Sequence, residues 1–438
     1  MATLRVAVYP HAMHIGGSQL NAVELAGALS DRGHEVVVVG EPGPLVERVR
    51  AMGLEHIAIN ARRHRPSPVV ARRLQDLSRR RGLHVLHGYE WPPALEAAAA
   101  SAMPGSSAVA VCTIMSMAVA PFLPASMPLV VGTEAIQAHA AARRPGPVWL
   151  IEPPVDVAAN APGYPVADFV ARFGLNDGGL ANPVNIVMVT RLATELKLEG
   201  VLSAIDAVEL LADLPIRLII TGDGVARATV EERAAKVNAS VGRRAVVLTG
   251  ELFDPRSAYG SADIMLGMGG SALRAIAFGR PLVVQGERGF WRLLTPESCP
   301  TFLRQGWYGL GDGGDGAQLL TGILRPLVGD PTRRAELGAF GRRLAVERFS
   351  LQSAAALQEQ IYLTAIEQRR VAGAHRARVV WEGLRSASGL VKHEVRERVK
   401  RLNGKAARDD FNAAHLAQVS IETTSGGRLQ TPSAPGSD

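Results

Sequence analysis

Cysteine is scarce in this sequence: Cys112 and Cys299 are the only two among 438 residues. They offer no disulfide framework and no metal-ligand spacing, so both read as buried thiols of a protein from a reducing compartment. Long apolar runs are also missing, and none approaches the roughly 20 residues that a bilayer-spanning helix needs. The first residues enter a strand at Leu4 with no signal-peptide pattern. The expectation is a cytoplasmic protein, at most peripheral on the inner face of the membrane. Aromatic residues make up only 5% of the chain, yet hydrophobic residues reach 47%, enough for two large cores plus a tail.

The net charge of +7 is unevenly placed. Between Arg369 and Arg408 there are 12 Lys and Arg against three acidic residues, whereas the first 368 residues carry a net of only +1. A nucleic-acid-binding protein would carry basic charge on its folded surface as well, so no nucleic-acid partner is expected. Within the basic segment, Val391, Val395, Val399 and Leu402 recur at helical spacing amid Lys392, Arg396, Arg398, Lys400 and Arg401. Two readings stand: a helix lying on an anionic membrane surface through residues 369–408, or a solvated helix packed back on the first domain. Past Phe411 the chain is rich in Ser, Thr, Gly and Pro and reads as disordered.

Between these limits, short apolar runs alternate with helical stretches. Leu4–Tyr9, His34–Gly40, His56–Ile59, His84–His87, Val109–Ile114, Leu129–Val131 and Val148–Ile151 read as strands, with helices between most of them. Pro153-Pro154 and the span 160–183 form a junction. The pattern then restarts with strands at Val184–Val189, Arg217–Thr221, Ala245–Leu248 and Ile264–Met268. This predicts an α/β protein of two doubly wound, Rossmann-like parallel-sheet domains: 1–160, a linker 161–183, then 184–365. A basic helical extension (366–410) and a tail (411–438) follow.

The stretch Ile264–Gln285 anchors the functional reading. An apolar strand runs into Gly269-Gly270-Ser271, a short helix follows, and Gly279-Arg280-Pro281 opens another strand. A strand, a Gly-Gly turn and a Ser-capped helix leave free backbone N–H groups at a helix N-terminus, which suits phosphate; an ordinary βαβ turn has the same signature. In doubly wound sheets, ligands bind beyond the carboxyl ends of the strands. Gly16-Gly17, Glu90, Arg191 and Gly269-Gly270 all fall at such ends.

These residues carry a family resemblance over roughly residues 4–365. Gly16-Gly17 precedes the first helix, and Arg191-Leu192 with Lys197 follows a strand. Thr221-Gly222-Asp223-Gly224 and Thr249-Gly250 come next, then Tyr259 with Ala262-Asp263, and the run from Gly267 to Pro281. In that order and spacing the chain resembles the family-4 retaining glycosyltransferases. That resemblance implies the GT-B architecture, two Rossmann-like domains facing across a cleft, with an acceptor side in the first domain and a nucleotide-sugar donor side in the second. It implies that Arg191 and Lys197 hold the donor's diphosphate, with the amides of Gly16-Gly17 and Gly270-Ser271-Ala272 closing around it. The Gly222-Asp223-Gly224 turn and Gly269 complete the donor site. A fixed guanidinium fork plus a lysine point charge suits a diphosphate that gains charge as the sugar leaves. The implied reaction moves a sugar from a nucleotide-diphosphate sugar to a glycan, a lipid-linked glycan or a natural product, with retention and front-face attack. No metal and no further cofactor is expected.

The sequence departs from that family at its glutamate pair, which aligns with Leu266 and Arg274, and at a histidine position that aligns with Met115. Arg274 offers only donors, and as a cation in the first helical turn it is expected to point toward the cleft and contact the donor or Glu287. Glu287, after the second strand of the unit, either supplies that carboxylate or pairs on the surface. Glu90 reads as an N-cap of the following helix or as a cleft carboxylate, and His87 as a satisfied core histidine ahead of a catalyst. An alternative therefore stands: a catalytically degenerate GT-B nucleotide-sugar binding protein acting as partner or regulator. A GT-B epimerase-like enzyme is a third reading.

Overall fold

A computed structural model describes residues 3–59, 65–116, 118–176 and 183–371, and a helical stretch within 385–399 apart from 387, 394 and 397. The tail and the rest of the basic segment, including Leu402, Lys400 and Arg401, lie outside the described residues.

The first sheet is built from β1 (Arg5–Tyr9), β2 (Glu35–Gly40), β3 (Glu55–Ala58), β4 (Val85–Tyr89), β5 (Val109–Ile114), β6 (Leu129–Val131) and β7 (Val148–Leu150). Helices α1 (Gly17–Asp31), α2 (Leu45–Ala51), α3 (Pro68–Arg81), α4 (Trp91–Ala102) and α5 (Glu134–Ala141) connect them. All pairings are parallel, in the order β3-β2-β1-β4-β5-β6-β7. Valine-rich runs such as Glu35–Gly40 suit strands covered on both faces, which is why they appear in the sequence as continuous apolar runs rather than as alternation.

After α6 (Ala167–Arg172), the second sheet comprises β8 (Val184–Val189), β9 (Ile216–Thr221), β10 (Val246–Gly250), β11 (Ile264–Gly267), β12 (Leu282–Gln285) and β13 (Trp291–Leu293). Its order is β10-β9-β8-β11-β12-β13, parallel except for the antiparallel edge strand β13. The helices are α7 (Leu198–Leu210), α8 (Arg227–Ser240), α9 (Arg256–Gly260), α10 (Gly270–Ala277), α11 (Cys299–Gln305), α12 (Gly316–Gly329), α13 (Pro331–Arg348) and α14 (Leu351–Val371). Two apolar clusters, one on each face, fill this second domain.

The chain crosses between domains twice, side by side. Val155 donates to Phe349 O at 2.7 Å and Leu351 donates to Val155 O at 3.0 Å. Beyond that point α14 packs on α1 and belongs to the first domain's core through Ile361, Tyr362 and Ala365. The span 184–365 thus divides at this crossing, because the apolar face of α14 matches α1 rather than the second sheet. The Tyr362 hydroxyl meets His87 Nδ1 at 2.7 Å, and His87 Nε2 meets Thr113 Oγ1 at 2.7 Å. Buried with both nitrogens engaged and its pKa pushed down to about 3 by burial, His87 is a structural tie for α14. Cys112 and Cys299 are both buried free thiols.

The stretch 385–399 also packs back on the first domain. Leu390 joins the cluster around Ala94 and Phe122, and the His393 ring lies 5.4 Å from Phe122 and 6.2 Å from Trp91. Its other face leaves Val391, Val395 and Val399 exposed. Among the described residues no helix is long and apolar enough to cross a membrane.

Candidate functional site

Each sheet reverses its strand order once, between β1 and β4 in the first and between β8 and β11 in the second. Crevices open beyond the carboxyl ends of strands at such switch points. Gly16-Gly17 and Glu90 stand at the first, Arg191 and Gly269-Gly270 at the second, and the two ends face one another across the interdomain gap.

On the second domain, Arg191 is exposed just past β8, in a loop held by the neighbouring turn: Leu192 donates to Asp223 O and Ala226 to Leu192 O, both at 2.9 Å. The approach is too close for a side chain at Gly222, where an added Cβ would lie 1.8 Å from Thr190 O. Asp223 spends its carboxylate on Gly224 N (2.7 Å) and Arg227 (2.8 Å), so this turn shapes the Arg191 loop rather than offering an acid to the cleft. Lys197 precedes α7, and its ammonium lies 2.8 Å from Met268 Sδ, a weak acceptor. Burial first and Arg191 second push its pKa down to about 8. Two cations thus share one crevice.

The helix after the Gly-Gly turn begins earlier than expected. Gly269, at φ 58° and ψ −129°, is the N-cap, and α10 starts at Gly270. Ser271 is therefore not the cap: its hydroxyl donates to Met268 O (3.0 Å) and accepts from Met268 N (3.2 Å). The backbone at Gly269 is open to glycine alone, which lets the chain enter the helix two residues sooner. The first amides of α10, at Gly270, Ser271 and Ala272, have no intrahelical acceptor by construction.

Arg274 does not meet Glu287. It reaches across the gap to Glu24 on α1, Nη2 to Oε1 at 2.8 Å, and Glu24 also accepts from Arg48 Nη2 at 2.7 Å. Burial opposes the charge of Arg274, but Glu24 and Tyr259 together hold the guanidinium above its ordinary range. Glu287, half-buried, instead accepts the hydroxyl of Tyr308, whose own pKa is raised by burial and then by that carboxylate. Leu266 is fully buried in β11, so a position aligned with a carboxylate belongs here to the sheet's core.

Glu90, at φ 68°, is the N-cap residue of α4, but its side chain does not cap that helix. The carboxylate accepts from Ser18 Oγ (3.0 Å), Met115 N (3.0 Å) and Ser116 Oγ (2.7 Å), tying the Gly16-Gly17 loop to the end of β5. Burial raises its pKa, against those hydrogen bonds. Gly17 itself faces open space, with nothing within 4 Å of an added Cβ.

Between the domains lies a cavity of about 190 Å³. Met115, Thr133 and Ile136 line it from the first domain, and Leu196, Met268, Gly269, Leu303 and Trp307 from the second. Glu24, Ser116 and Tyr308 are contributors that sequence patterns do not single out. Glu24 carries a signal nonetheless: an acid flanked by Val23, Leu25 and Ala26 in an apolar helix demands a buried partner.

Residues 183–299 match the family Glycosyl transferases group 1. A glycosyltransferase from Rickettsia africae superposes with a TM-score of 0.63 at 14% identity, covering 83% of this chain and 99% of that one. Anabaena HepE in complex with UDP gives 0.61 at 13%, covering 82% and 100%. The catalytic domain of Arabidopsis thaliana starch synthase IV, bound to ADP and acarbose, gives 0.60 at 12%, covering 84% and 100%. No curated protein is matched by sequence. At such identities the likeness establishes the fold, which is GT-B.

Proposed function

We propose that this chain is a retaining glycosyltransferase that moves a sugar from a nucleotide-diphosphate sugar to an acceptor hydroxyl. The observation carrying this reading is the convergence of Arg191, Lys197 and the α10 amides on one crevice that faces the other domain. Lys197, whose pKa is pushed down to about 8 by burial and then by Arg191, would gain a counter-charge from a bound diphosphate. The family matched by residues 183–299, and the UDP and ADP in two of the similar structures, support the donor class.

In the proposed step the bond from the anomeric carbon to the diphosphate oxygen breaks and a bond to the acceptor oxygen forms on the same face. The acceptor's proton passes to the departing diphosphate. Arg191, Lys197 and the helix amides stabilise the charge that accumulates there. No carboxylate need act as base, so the absence of one at Leu266 and Arg274 is compatible with turnover. Glu90, through Ser18 and Met115, fixes the loops of the acceptor side.

The exposed valine and basic face of residues 385–399, carried on the first domain, suits an anionic membrane surface from which a lipid-linked acceptor is drawn. Incubation with a panel of nucleotide sugars, reading release of nucleoside diphosphate, tests the reading. Release from at least one donor, lost in Lys197→Ala, supports it. Tight nucleotide-sugar binding with no release from any donor favours instead the partner-or-regulator alternative, for which the burial of Leu266 and the commitment of Arg274 to Glu24 speak.

A further inference from the structure

The cavity of about 190 Å³ between the domains sits beside the proposed diphosphate site, with Gly269 and Met268 in its wall. Its chemistry differs from what a sugar needs. Besides the indole of Trp307, four side chains of its lining are polar, and each has a protein partner. Thr133 Oγ1 accepts from Ile136 N (3.3 Å), and Gln305 Nε2 donates to Tyr308 O (2.7 Å). Glu152 pairs with Arg348 at 2.6 Å, and the Tyr308 hydroxyl is donated to Glu287. The larger share of the lining is apolar and includes Met115, Ile136, Leu196, Met268, Leu303 and Trp307.

A sugar ring placed there would turn several hydroxyls toward Met115, Ile136, Leu196, Met268 and Leu303, side chains that offer them no hydrogen-bond partner, an unfavourable exchange for each one. An apolar group loses nothing and gains contact. Size agrees: an apolar cavity of about 150 Å³ holds a benzene molecule, so this one accommodates one aromatic ring or a branched five-carbon unit. The walls are stiff, since the Trp307 ring stacks on Phe302 at 5.5 Å and meets Phe349 edge-on at 5.6 Å. The two methionines can adjust to an occupant's outline.

We infer that this cavity receives an apolar group bearing the acceptor hydroxyl, a phenolic ring or a prenyl unit, rather than a glycan. The inference rests on the glycosyl-transfer reading for the word acceptor, but the cavity's preference for apolar ligands is independent of it.

The test uses the full chain and three probes, phenol, 3-methyl-2-buten-1-ol and methyl glucoside, each titrated with and without UDP. Phenol or the prenyl alcohol should bind at least tenfold more tightly than methyl glucoside, and the tighter of the two identifies the ring or the prenyl source. Ile136→Trp, which fills the space, should weaken that probe at least tenfold; the UDP titration on the same sample reports whether the fold and donor site are intact. Should Ile136→Trp fail to fold, Leu303→Ala enlarges the cavity and should admit 2-naphthol at least tenfold more tightly than the wild-type chain does. Methyl glucoside binding as well as phenol, or phenol binding unchanged in Ile136→Trp, would overturn the inference. Apolar binding without any UDP binding would leave the cavity assignment standing while contradicting the donor site.

Discussion

Arg274 of α10 and Glu24 of α1 join the two domains directly, Nη2 to Oε1 at 2.8 Å, with Arg48 on the same carboxylate oxygen. The two helices whose N-termini face the proposed diphosphate are thereby held in register across the gap. Glu24 is the pivot, because two guanidinium groups depend on it. Removing one partner of a buried ion pair costs about 3 kcal/mol or more. Glu24→Ala should lower the unfolding free energy by that order in urea, and Arg274→Ala by less, since it leaves the Glu24–Arg48 pair intact. Equal stability of Glu24→Ala and wild type would show that the bridge contributes nothing.

Lys197 gives the nucleotide site a pH dependence. Its pKa is pushed down to about 8, and a bound diphosphate favours the ammonium and raises it again. Near pH 7 the free lysine is already protonated and the terminal phosphate of UDP is ionised, so affinity for UDP should be greatest there. Above about 8, binding must take up a proton, so the Kd should rise by up to tenfold per pH unit. Lys197→Met should flatten that limb in calorimetric titrations between pH 6 and 10. A wild-type Kd constant to pH 10 would separate Lys197 from the phosphate.

Both sheets are legible in the sequence because parallel strands covered on two faces are continuous apolar runs, and Arg191, Lys197 and the Gly-rich turns sit where those runs end. The Arg274–Glu24 pair is not legible. Its partners lie 250 residues apart on different domains, and no spacing rule links a helix in one sheet layer to a helix in another. The Gly269 cap is missed for a local reason: Ser271 has the composition of a cap, but the backbone angle open to Gly269 starts the helix first. The cavity is missed because it is assembled from both domains: Met115 stands out only as the residue at the family's histidine position, and no spacing links it to Trp307.

Glu90 should prove a positioning residue. Glu90→Ala leaves the Ser18 and Ser116 hydroxyls and the Met115 amide without their acceptor, at a cost of about 1–3 kcal/mol. Its pKa is raised by burial, so the stability it contributes is present below the ordinary carboxyl range and is lost as pH rises through that range to the raised value. In Glu90→Gln this part of the stability–pH curve should flatten. An identical curve in the variant would mean that the carboxyl titrates normally.

Vesicle sedimentation addresses the basic helix. The exposed Val391, Val395 and Val399, with Lys392, Arg396 and Arg398 beside them, should bind anionic vesicles more tightly at low salt than at high. Truncation after Arg370 should abolish sedimentation. If the truncated chain still binds anionic vesicles as well as the full chain, the membrane reading fails.

The central claim is that Arg191 and Lys197 hold a nucleoside diphosphate, and calorimetric titration of UDP and ADP into the wild-type chain and Arg191→Ala tests it most directly. A charge-assisted hydrogen-bond pair lost from the site amounts to about 1.5–3 kcal/mol. The expected result is a saturable wild-type isotherm for at least one of the two nucleotides and a Kd at least tenfold weaker in Arg191→Ala. Binding of neither nucleotide to the wild-type chain, or an unchanged Kd in the variant, would contradict it.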